Sequence, residues 1–99
     1  MKDMNINQKN KQMKTKEQTV PKWFQGSIYK EGAVVTNIFS GEKYELNALE
    51  LSIYDFIMGS QMVFEMAPNS VTQKQINDFQ KGLTWFRTNN VDAYFALLD

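Results

Sequence analysis

The chain has 99 residues, the size of one modest domain. Eleven Lys and Arg side chains balance eleven Asp and Glu, and the sequence contains neither histidine nor cysteine. These missing residue types exclude a disulfide framework, Cys or His metal sites, Ser–His or Cys–His nucleophiles, and an imidazole general base. We therefore predict a protein that is not an enzyme and that carries no cofactor or metal.

The neutral total hides an uneven distribution of charge. Residues 1–20 carry five lysines against Asp3 and Glu17, a net charge of +3, whereas residues 21–99 carry six basic and nine acidic side chains, a net charge of −3. The first segment is rich in Lys, Asn, Gln and Thr, so it buries too little apolar area to offset an ordering cost of about 1–2 kcal/mol per residue. We predict a flexible, disordered basic arm over residues 1–20 and a single domain over residues 21–99.

Targeting and membrane signals are not apparent. No apolar core of a signal peptide follows the early lysine, and no apolar run approaches the roughly 18–20 residues that cross a bilayer. We expect a soluble, cytoplasmic protein.

Residues 26–46 have the composition of short strands and turns. Residues 33–39 form the strongest strand candidate, because they are rich in β-branched types, and residues 42–46 return antiparallel after a two-residue turn at Ser40-Gly41. Residues 27–30 are a further strand candidate. The row of side chains that faces the core then consists of Ile28, Val35 and Leu46.

Two capping boxes mark helix starts. Asn47 and Glu50 form the first, which predicts a long helix over residues 48–66. Thr72 and Gln75 form the second, which predicts a helix that continues to about residue 87 or 88.

A short terminal helix is predicted over residues 91–98, with Asn90 as its cap and with Val91, Tyr94, Phe95 and Leu98 on its apolar face. The elements together predict an α+β fold. A small antiparallel β-meander of two or three strands precedes a long central helix and two shorter helices.

The long helix differs from the second helix in its apolar pattern. The second helix has one apolar stripe, as expected of a surface helix, whereas the long helix is apolar on two sides. Its core face comprises Leu49, Ile53, Phe56, Ile57, Val63 and Phe64. The opposite stripe comprises Leu51, Tyr54, Met58, Met62 and Met66.

The second stripe has two interpretations. Either the sheet covers one side of a central helix and the later helices cover the other, or the stripe is a homodimer seam or a partner groove with Asp55 and Glu65 as an acidic rim. The functional hypothesis is a non-catalytic protein-interaction or self-assembly module that binds a protein partner or itself, forming a homo-oligomer.

Two glycines lie inside the predicted helices. Gly59 and Gly82 each cost about 1 kcal/mol relative to alanine in a helix interior. A close crossing of the two long helices near Gly82 and Ser60 would offset that cost.

A basic arm also suggests nucleic-acid binding as the alternative function. The residues concerned are Lys9, Lys11, Lys14 and Lys16, which could follow a phosphate backbone, and Trp23, which could stack on a base. Against this, the arm lacks arginine and leads into an acidic domain. The competing interpretation is that the arm is a solvated tail and that Trp23 pins it to the core.

Four carboxylates are candidates for an acid–base or hard-metal set: Glu42, Glu45, Glu50 and Asp55. They fall at a hairpin edge, a helix cap and a helix side, without a glycine-rich calcium loop. We interpret them as structural.

Two stretches carry a resemblance: residues 37–47 continuing into 51–57, and residues 82–87 together with 97–99. They resemble small uncharacterised proteins that recur in bacteriophage genomes, particularly marine ones, over most of residues 21–99. The resemblance implies a phage-like accessory or assembly protein in a bacterial cytoplasm. It transfers no functional residues, because the shared motifs are packing and turn motifs.

Overall fold

The computed structural model describes residues 18–98. Two antiparallel strands, β1 (Ala33–Thr36) and β2 (Lys43–Leu46), precede the helices α1 (Ala48–Met66), α2 (Gln73–Asn89) and α3 (Val91–Ala93). A 3-10 turn at Pro68–Ser70 joins α1 to α2, and α3 continues as a π-helical turn over Tyr94–Leu98. This arrangement confirms the predicted α+β class. The predicted arm lies outside the described residues, except for residues 18–20.

The core lies where α1 meets α2, the terminal helical turns and the end of β2. Ile53 and Ile57, both on the predicted core face of α1, and Phe86 of α2 are fully buried. Trp23 and Phe24 close one end of this core through ring contacts with Phe56, at centroid distances of 5.8 and 5.9 Å. The buried apolar residues are Phe24, Leu46, Ile53, Ile57, Trp85, Phe86, Ala93, Ala96 and Leu97.

The sheet keeps the predicted faces but not the predicted register. Val35 lies opposite Tyr44 and Ala33 opposite Leu46, so the strands are joined by six residues rather than two. The side-chain oxygen of Asn37 accepts hydrogen bonds from the Phe39 and Ser40 N–H groups, which folds residues 37–42 into a loop. The shift is by an even number of residues, so Val35 and Leu46 still face the core.

The third strand candidate, residues 27–30, is wrong. The Tyr29 N–H donates to the Ser52 hydroxyl of α1 at 2.9 Å, and Ile28 is exposed instead of sitting in a core row. Gly32 lies so close to the end of β2 that an added Cβ would stand 1.9 Å from the Leu46 carbonyl oxygen. The chain therefore follows α1 before it crosses the end of β2 and enters β1.

Both capping boxes are confirmed. The Asn47 side chain accepts from the Glu50 N–H, and the Glu50 carboxylate accepts from the Asn47 N–H at 2.9 Å. Thr72 and Gln75 make the same reciprocal pair at the start of α2. The bounds of α1 are the predicted ones, and α2 ends one or two residues later than predicted.

The apolar face predicted for the terminal helix is right at Tyr94 and Leu98, which pack against the core, and wrong at Val91 and Phe95. Ala96 and Leu97 are buried, whereas Val91 and Phe95 are exposed. The reason is local geometry, since a π-helical turn holds more residues than the 3.6 of an α-helix and so displaces the stripe. The predicted cap is present, with the Asn90 side chain accepting from the Ala93 N–H.

Candidate protein-interaction surface

The second stripe of α1 is covered at its N-terminal half. Leu51 and Tyr54 are half-buried. The segment before β1 fastens to this half of the helix, because the Tyr29 N–H bonds to Ser52 and the Tyr29 hydroxyl donates to the Asp55 carboxylate. Two of the five predicted interaction residues therefore lie partly within the domain.

The C-terminal half of the stripe is open. Exposure rises along the helix, from 38% at Met58 to 60% at Met62 and 78% at Met66. Val63, which the helical wheel assigned to the core, is also exposed. On this side of α1 the fold leaves the apolar side chains after Ile57 in solvent. On the opposite side, Phe64 packs on Phe79 of α2.

The loop between β1 and β2 adds two apolar residues, Ile38 and Phe39, which were predicted to lie in a strand over residues 33–39; the strand ends at Thr36 instead. Ile38 is 83% exposed and Phe39 is 93% exposed. The loop is held in place, because the Asn37 side-chain N–H donates to the Ala96 carbonyl at 3.0 Å. Large apolar groups on a fixed loop are a costly arrangement unless something covers them.

A hollow connects this loop to α1. It has a volume of about 190 Å³, and Ile38, Phe39, Tyr54, Met58 and Leu97 contribute to its lining. The loop tip therefore lies beside Met58, the first exposed methionine of the stripe, and the loop tip and the stripe together form one surface. We call it the docking surface and define it by Ile38, Phe39, Met58, Met62 and Met66.

A groove runs along the other side of the exposed stripe. It has a volume of about 390 Å³ and lies between α1 and α2, with Phe56, Gly59, Val63 and Phe64 among its lining residues. An added Cβ at Gly59 would meet nothing within 4 Å, whereas one at Gly82 would meet the Ile57 side chain at 3.0 Å. The helix crossing that was predicted to explain both glycines explains only Gly82.

Glu50 is structural, as predicted, although most of its partners were not foreseen. It is buried, and one carboxylate oxygen accepts from the side-chain amides of Gln18 and Asn90, at 2.8 and 2.9 Å. These partners lie 32 and 40 residues away in sequence. Over residues 18–98, no group of three or more acidic side chains could hold a metal ion.

The residues of the nucleic-acid alternative are only partly described. Lys9, Lys11, Lys14 and Lys16 lie outside the described residues. Trp23 is half-buried and packs on Phe24 and Phe56. That alternative stays a prediction.

Comparisons with protein families, with curated proteins and with solved structures found no match. Within residues 18–98, none of the helices has the length and apolar character needed to span a bilayer.

The Tyr29–Asp55 pair gives a prediction about pH. The hydrogen bond to Asp55, together with the charge of that carboxylate, raises the pKa of Tyr29 above its ordinary value of about 10. The folded state therefore favours the protonated phenol. The Tyr29–Asp55 pair stabilises the fold at pH values below about 10, and this stabilisation is lost as pH rises through the folded-state pKa of Tyr29. Asp55→Asn is expected to return the pKa of Tyr29 toward the ordinary value.

Ultraviolet titration of phenolate absorbance checks this expectation. Subtracting the titration of Tyr29→Phe from that of the wild type gives the absorbance change of Tyr29 itself. An unchanged titration in Asp55→Asn would show that the pair does not form in solution.

Proposed function

We propose that the protein is a non-catalytic interaction module that binds protein through the docking surface. The supporting observation is the continuity of the exposed loop tip with the exposed half of the α1 stripe. Taking about 200 Å² for a fully exposed side chain of this size, the five residues expose roughly 700 Å². The largest apolar patch on a typical monomer is about 300–600 Å² and is often functional.

The size of the surface is sufficient for association. Burying roughly 700 Å² of apolar area contributes about 17 kcal/mol at 25 cal/mol per Å². Association costs about 4–15 kcal/mol in lost motional freedom and about 0.5–1.5 kcal/mol for each side chain that becomes ordered, so these costs offset most of that contribution. Methionines suit this role, because their unbranched, polarisable side chains adapt to the shape of a partner.

The same proposal assigns no chemistry to the carboxylates. Asp55 is bonded to Tyr29, and Glu50 is enclosed by amides. Together with the absence of histidine and cysteine from the sequence, this favours binding over catalysis. The resemblance to small phage proteins supports a cytoplasmic role in an infected bacterium, as an accessory or assembly component.

Photo-cross-linking in the cells that naturally make the protein tests the proposal. A photo-reactive amino acid at Met62 is expected to give a discrete protein adduct. The matched control carries the same group at Lys81, an exposed position on α2 outside the docking surface, and should give none. Equal labelling from both positions, or none from either, would refute the docking role.

A further inference from the structure

Gly59 destabilises α1, and no close contact within the domain requires a glycine at this position. It lies in the middle of α1, where glycine weakens a helix, and within 4 Å of its Cβ position there is open space. Alanine would fit there without displacing any described atom. A glycine in this position is useful where the backbone of another helix or a bulky side chain must approach closely.

The exposed half of α1 carries both a ridge and a groove. Met58, Met62 and Met66 follow one another at intervals of four residues, so they form a ridge along one line of the helix. Gly59 and Val63 lie next to that line, at the edge of the groove toward α2. One face of α1 therefore offers a projecting side chain, Met62, and a depression at Gly59, only three residues apart in the sequence.

We infer that the occupant of the docking surface is a second copy of this chain, with the two α1 helices packed antiparallel so that Gly59 of each lies opposite Met62 of the other. A two-fold axis makes both contacts at once, since each copy supplies the same patch. The same geometry sets Met58 opposite Val63. This inference rests on the proposed function and names the partner of that surface.

The area agrees with a dimer. Each partner in a standard interface buries about 800 Å², and the docking surface exposes roughly 700 Å², half of it from Ile38 and Phe39, so a dimer of standard size covers the loop tip as well as α1. Self-pairing also brings Asp55 near Glu65 of the other copy, and α1 contains no Lys or Arg to offset them. The dimer should therefore tighten as salt rises, because salt screens this repulsion.

Sedimentation of the full chain tests the pairing. The wild type is expected to form a dimer with a micromolar dissociation constant that falls with added salt. Gly59→Leu fills the depression and should raise the constant tenfold or more, while circular dichroism shows the fold retained. Gly59→Ala should weaken the dimer to a smaller extent and raise the urea midpoint of the monomer. A purely structural glycine would change stability and leave the dimer unaffected.

Cysteine cross-linking tests the orientation, and it is clean because the sequence has no cysteine. With Gly59 opposite Met62, the two copies of position 62 are offset by about 4.5 Å along the helices, and the two copies of position 66 by about 16 Å. Met62→Cys is expected to form an intermolecular disulfide at least tenfold faster than Met66→Cys. The latter is the matched control, since Met66 is the more exposed of the two.

The outcomes separate this inference from the proposed function. A wild-type monomer at every concentration, or equal cross-linking from both cysteine variants, overturns the antiparallel pair. If photo-cross-linking from Met62 still captures a different protein under those conditions, the docking role stands and only the second copy is wrong.

Discussion

Gly32→Ala is expected to lower the free energy of unfolding by about 3 kcal/mol, because overpacking a fixed site usually costs 1–3 kcal/mol and sometimes more. The added Cβ would lie 1.9 Å from the Leu46 carbonyl oxygen and 2.8 Å from the Asn47 Cα. Both are backbone atoms, and they belong to the junction between β2 and α1. Neither can move without disturbing the strand end or the helix cap.

Two other glycines are matched controls for this substitution. Gly41 has a φ of 78° and open space around it, so Gly41→Ala should cost about 1–2 kcal/mol from backbone conformation alone. Gly59 lies in an ordinary helical position with open space, so Gly59→Ala should stabilise the monomer by up to about 1 kcal/mol. Urea denaturation at low protein concentration measures all three. A cost for Gly32→Ala no larger than that for Gly41→Ala would contradict the close approach at the β2–α1 junction.

Glu50→Ala is expected to cost about 2–3 kcal/mol. The substitution removes half of the α1 capping box and leaves the amides of Gln18 and Asn90 without an acceptor. Glu45→Ala, on the exposed face of β2, is the control and should change stability by no more than about 0.5 kcal/mol.

Glu50→Gln separates capping from the longer-range contacts. Its remaining oxygen can still accept from the Asn47 N–H, but its amino group would face two other amide donors. We expect it to recover less than half of the loss in Glu50→Ala. Wild-type stability in Glu50→Gln would mean that the contacts with Gln18 and Asn90 contribute nothing in solution.

The features that were predicted correctly depend on neighbours in sequence. A capping box joins residues three apart, so Asn47 with Glu50 and Thr72 with Gln75 located both helix starts. The period of 3.6 residues placed Ile53 in the core for a similar reason. These signals need no knowledge of the rest of the chain.

The features that were missed depend on which parts of the chain come into contact with a residue once the domain has folded. Val63 has the right phase for the core, but α2 covers this part of α1 only on the side of Phe64, which packs on Phe79, and leaves Val63 exposed. Phe39 has high strand propensity, yet the Asn37 side chain turns the backbone before the strand can continue. Asn37 followed by Ser40-Gly41 was the available signal for a longer loop.

The hydrogen bonds of Glu50 with Gln18 and Asn90 could not be predicted either, because they join residues far apart in the sequence. Asn90 meets Glu50 only because α2 returns the chain to the start of α1. No local pattern marks such a meeting.

The attachment of Gln18 has a geometric consequence for any assembly of this chain. Its side chain is bonded to Asn47 and Glu50, so the described chain starts at the N-terminal end of α1. In an antiparallel pair these two starting points would lie about 40 Å apart, given a rise of 1.5 Å per residue. The first described residues of the two copies would then lie at opposite ends of the α1 pair, so a group held near one Gln18 would be remote from the other.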